Sequence, residues 1–64
     1  MEKNRNYGRY NKAMVDMIID QISKKVNGDV DNIDKVAKII YKYSNEYPGI
    51  GEFAANIWMD ENDF

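Results

Sequence analysis

Neither cysteine nor histidine occurs among the 64 residues, and this double absence limits what can hold the chain together. No disulfide can form, and zinc sites built on thiolate or imidazole are excluded. Thiol nucleophiles and imidazole acid–base catalysis are excluded with them. A chain of this length buries only about 60% of the surface its unfolded form exposes, so it stands near break-even once ordering entropy is subtracted. Small domains in that position add disulfides, metals or association. Association with another chain is the route left open here, and a homodimer is expected.

Composition then sets the class. Apolar residues at 44% permit one core, whereas charged residues at 31% oppose a membrane span. No stretch approaches the ~18 consecutive apolar residues that a transmembrane helix needs. The polar opening Met1 to Asn6 leads into no apolar signal region, so a cytoplasmic location is expected. The length suits a single domain, residues 1–64.

Two turn signals divide the chain, at Asn27-Gly28-Asp29 and at Tyr47-Pro48-Gly49. From about residue 7 to 27, Tyr7, Tyr10, Met14, Met17 and Ile18 recur at helical spacing. Val15, Ile19, Ile22 and Val26 form a second row beside them. Gly28 suits the left-handed position past that helix end, and Lys24 and Lys25 suit its last turn. A second helix is expected over 32–46, with Asp31 as N-cap. Its apolar centre would be Ile33, Val36, Ala37, Ile40 and Tyr47, with Ile39, Tyr41 and Tyr43 on the flanks. A third is expected over 51–60, carried by Ile50, Phe53, Ala54, Ile57 and Trp58, with Phe64 folding back. No stretch alternates with period two, so the expected fold is all-α, a small three-helix bundle completed by homodimerisation, with residues 1–6 as a flexible basic arm.

Chemistry-bearing constellations are few. Asp29-Val30-Asp31-Asn32-Ile33-Asp34 suggests a calcium loop but fails at its fifth, sixth and twelfth positions, where Ile33, Asp34 and Ile40 stand; it reads as helix capping. Asp16 and Asp20 share a polar helix face, where both would be solvated. No serine has a base partner and no Gly-rich phosphate loop occurs. A bundle this small also leaves little room for a pocket of ~300 Å³ or more. No enzyme activity, cofactor or metal is therefore expected.

Charge is unevenly distributed. Lys3, Arg5, Arg9 and Lys12 crowd the start, while Glu46, Glu52, Asp60, Glu61 and Asp63 occupy the end with no base among them. The lysine stripe Lys35, Lys38 and Lys42, with the N-terminal arm, makes nucleic-acid binding the alternative function, as a small transcriptional regulator. The isoelectric point of about 4.9 opposes it. Rings and methionines say more, because both are enriched at protein interfaces. Two helices carry apolar arcs of roughly half their circumference, more than two neighbours can cover. Tyr10, Met14, Met17, Tyr43 and Trp58 are the expected partner contacts, with Glu52, Asp60, Glu61 and Asp63 as an acidic row that steers.

In the run from Ile50 to Phe64, the residues Glu52, Phe53, Ala54, Ile57, Asp60 and Phe64 form a pattern that resembles the YozE-type, SAM-like small helical proteins of Gram-positive bacteria and their phages. The resemblance implies an all-helical fold and no catalytic residues, and assigns no activity. Abundant Asn, Lys, Ile, Tyr and Asp beside sparse Pro and Ala are similar to the coding bias of AT-rich bacterial and phage genomes. The expected function is a protein-binding accessory protein of a phage or mobile element, inhibiting a host or defence protein by blockade.

Overall fold

The computed structural model describes residues 5–64, which form three α-helices: α1 Lys12–Val26, α2 Ile33–Glu46 and α3 Ile50–Glu61. The domain is all-α, and no strand occurs among the described residues. Residues 1–4 of the expected basic arm lie outside the described part.

Local chemistry sets each boundary. The first helix begins at Lys12, five residues later than the periodicity suggests. Gly8 takes a positive φ of 57°, and Tyr10 N–H closes a turn onto the Tyr7 carbonyl at 3.0 Å. Asn11 then caps the helix, its Oδ1 accepting from Met14 N–H at 3.1 Å. At the other end Asn27 adopts the left-handed conformation (φ 51°) one residue ahead of Gly28 (φ 77°). Its short amide tolerates that region, and its N–H binds the Ser23 carbonyl. The second helix is capped by Asn32, not Asp31: Asn32 Oδ1 accepts from Lys35 N–H at 3.2 Å. Asp34 still lies in the first turn, where its charge meets the positive helix end.

The core is Val15, Ile18, Ile19, Ile22 and Val26 from α1, Val36 and Tyr43 from α2, and Ala54, Ala55 and Trp58 from α3. The row predicted beside the first one, joined by Ile18, is therefore the face that α1 buries. The face α2 buries is turned from the predicted one. Tyr43 is 5% exposed and inside, whereas Ile33, placed at the apolar centre, is 70% exposed. Gly51 packs on the buried side. A Cβ on it would overlap the Tyr43 carbonyl oxygen and sit 3.1 Å from Tyr47 Cβ. Only glycine lets α3 approach α2 this closely at Tyr43, which lies on the side of α2 that is buried, away from Ile33.

The last residues close over α3. Phe64 N–H reaches the Met59 carbonyl at 2.9 Å and Asp63 N–H the Asp60 carbonyl at 3.3 Å, with Asp63 left-handed at φ 59°. This is the Schellman pattern, and its usual hydrophobic contact is present as the Phe64 ring 5.4 Å from Trp58. The result is a slab of 31 × 30 × 16 Å. Its broad faces are not fully covered by its own helices.

Candidate interaction surface

Two apolar regions face solvent. The first is built at the start of α1. Asn11 fixes the helix entry: Tyr10 lies in the preceding turn, Met14 and Met17 stand three residues apart on one face of α1, and all three are exposed. Tyr10 leans on the Phe53 ring of α3 with centroids 4.6 Å apart, and a Cβ added at Gly49 would lie 3.5 Å from its hydroxyl. The three residues named from the sequence are thus all exposed.

The second region is a groove between α2 and α3, a cavity of about 470 Å³ open to solvent. Ile33, Ala37, Ile40, Tyr41 and Ser44 line it from α2, and Glu52, Asn56 and Met59 from α3, with Phe64 at one end. Tyr41 is 72% exposed and Phe64 50%. This corrects the expectation that so small a bundle leaves little room for a pocket of ~300 Å³ or more. The groove is hidden in the sequence because Ile33 and Ala37 fit an apolar helix centre and Tyr41 its flank. The clue in the sequence was that α2 carries more apolar positions than a stripe against two neighbours requires.

Two predicted contacts are core instead. Tyr43 lies against Tyr47 in parallel planes and donates its hydroxyl to Gln21 Oε1 at 3.3 Å. Trp58 is 2% exposed, and its indole N–H donates to Ser23 Oγ at 3.0 Å. A buried ring whose polar handle is already satisfied inside the fold has nothing left to offer a partner.

The acidic row is broken as well. Glu52, Asp60 and Asp63 are exposed, but Glu61 is half-buried and held by Arg5. The Arg5 guanidinium forks onto both Glu61 oxygens, with Nη2 at 2.8 Å from Oε1, and gives Nη1 to Asp16 at 2.9 Å. Tyr7 donates its hydroxyl to the same Asp16 oxygen at 2.6 Å. Asp16 is thus a buttress, not the solvated residue expected. Tyr7 and Arg5 donating to it hold its carboxyl below the usual range, Tyr7 first. The same bond raises the Tyr7 phenol. Arg5 is held more firmly charged by Glu61. Fifty-six residues separate Arg5 from Glu61, so no local pattern announces this clasp.

The clasp engages Arg5, one base of the N-terminal arm invoked for the nucleic-acid alternative, within the fold. Of the lysine stripe, Lys35 reaches Asp29 at 3.5 Å, Lys42 hangs 5.9 Å from the Tyr43 ring centre, and Lys38 is exposed. The Asp29–Asp34 run serves as capping and ion pairing around Asn32 and Lys35. No helix of the described residues is long and apolar enough to cross a membrane. No family model, curated protein or solved structure matches this chain.

Proposed function

We propose that this chain is a small non-enzymatic protein–protein interaction module that acts by occupying a partner's surface. One observation carries the reading: Tyr10, Met14 and Met17, from the first turns of α1 and the turn before it, are all exposed although the core is complete. Large apolar and aromatic side chains grouped in solvent are what interfaces use for affinity. Phe53 and Asp60 are two turns apart on one face of α3, and Tyr10 rests on Phe53. The complement is a partner surface that is apolar at its centre and basic at its rim. Burial of Tyr10, Met14 and Met17 would supply affinity, and Glu52, Asp60 and Asp63 would supply steering.

The finer reading is an accessory protein of a phage or mobile element that blocks a host or defence protein. It rests on the AT-rich residue bias and on the chain's suitability for steric blockade. The test is affinity capture from a bacterial lysate with the native chain and with the Tyr10→Ala, Met17→Ala double variant. Capture of one protein by the native chain, lost in a double variant whose helical circular dichroism is unchanged, supports the reading. Equal capture by both chains overturns it. DNA retained on a filter at low salt and released steeply as salt rises would replace it with the regulator built on Lys35, Lys38 and Lys42.

A further inference from the structure

The groove between α2 and α3 fits a different occupant from the Tyr10–Met14–Met17 face. We propose that it is covered by a second copy of this chain, with α2 crossing α2 antiparallel about a two-fold axis at Ala37. This goes beyond the proposed function and divides the two surfaces: the groove for self-association, the α1 face for the foreign partner.

Three features of the groove make it complementary to itself. First, the exposed stripe of α2 is large–small–large about one centre. Ala37 stands one helical turn from Ile33 on one side and one turn from Tyr41 on the other, and all three line the groove. A two-fold axis at Ala37 brings the two alanines together and sets each Ile33 against the partner's Tyr41. The small central residue permits the ~8 Å axial separation of close helix pairs. The side chains to be covered are the most exposed large apolar ones in the described chain, at 70% and 72%.

Second, the charges along the edge match. Val36 and Ile40 border the stripe on the side of α3, and Asp34 and Lys38 border it on the other. Neither Asp34 nor Lys38 has an ion-pair partner among the described residues. Reversing one helix places each Asp34 against the partner's Lys38. A parallel two-fold pair would instead set the Asp34–Lys38 edge of each helix beside the partner's Val36–Ile40 edge, leaving both charges unpaired.

Third, the remaining charge in the groove does not oppose the pairing. Glu52 lies at the Ser44 end, two turns from Ala37, so the two copies of Glu52 fall at opposite ends of the interface. Antiparallel α2 helices also bring opposite dipole ends together.

Sedimentation equilibrium of the purified full chain from about 1 µM to 1 mM tests this, with four variants beside the native protein. Ala37 is exposed, so Ala37→Glu leaves the monomer fold intact, which circular dichroism checks. The native chain should dimerise, and Ala37→Glu should weaken the dimer at least about tenfold. Asp34→Lys and Lys38→Asp should each weaken it, and the two together should restore it. A native chain that stays monomeric throughout overturns the pairing while leaving partner capture by the α1 face unaffected. A dimer unmoved by Ala37→Glu, or a double charge exchange that does not recover it, overturns the assigned face.

Discussion

Gly51 and Asp16 are the residues on which the arrangement most depends. Gly51 is buried where α3 meets the Tyr43 carbonyl, which belongs to a helix backbone and cannot move aside. Gly51→Ala therefore has to push the two helices apart. The expected loss is at least ~2 kcal/mol, a fall in Tm of roughly 8–16 °C for a domain this small. An unchanged Tm would mean that α2 and α3 are not held this closely. Asp16 gives the fold a pH dependence with two edges. Its carboxyl is depressed by Tyr7 and Arg5, so its contribution is complete above the unfolded value near ~4 and is lost as pH falls through the folded one. The Tyr7 phenol is raised by the same bond, so its contribution is complete below ~10 and is lost as pH rises through its folded value. Urea midpoints measured across pH should fall at both ends. Asp16→Asn should flatten the acid edge, and Tyr7→Phe should remove the alkaline one.

At the scale of elements, the third helix and its closing turn show how much can be read from sequence. The alternation of Phe53, Ala54, Ile57 and Trp58 located α3 to within a residue at each end, because its buried stripe is narrow and its spacing regular. Phe64 was expected to fold back, and the Schellman pattern with Asp63 in the left-handed position is how it does so. Asp63→Gly should therefore stabilise the domain by about 0.5 kcal/mol, since glycine takes that conformation without a Cβ clash. A thermal melt checks it, and a lower Tm would show that the turn is not formed. The second helix was harder to read. Its length was plain, but Ile33, Ala37 and Tyr41 fit the same period as Val36, Ile40 and Tyr43. Periodicity alone does not say which edge of a wide apolar arc faces inward. The absent side chain at Gly51, five residues into the next segment from Glu46, permits the close approach at Tyr43. The late start of α1 has a similar cause: Tyr7 and Tyr10 keep helical spacing, while Gly8 and Asn11 impose a turn and a cap that override it.

For the molecule as a whole, a small core is packed with aliphatic side chains, one tyrosine and one tryptophan, while two apolar regions remain outside it. Of the residues expected to form surplus apolar surface, Tyr10, Met14 and Met17 are exposed. The groove is not legible in the sequence, because it is assembled from α2, α3 and Phe64 and exists only once the helices are packed. The clasp of Arg5 with Asp16 and Glu61 is likewise a product of the tertiary fold, and it withdraws a base from the surface on which the nucleic-acid alternative relied. On both proposals these two surfaces are covered by different molecules. Methyl-resolved NMR of the purified chain in a dilution series separates them, following Ile33 in the groove and Met17 on the α1 face, with buried Ile22 as the internal reference. The Ile33 methyl signal should move with protein concentration while Met17 and Ile22 hold still, and Met17 should move only when a captured partner is added. An Ile33 signal that is the same from micromolar to millimolar concentration, or one that moves only in step with Met17, would contradict this division.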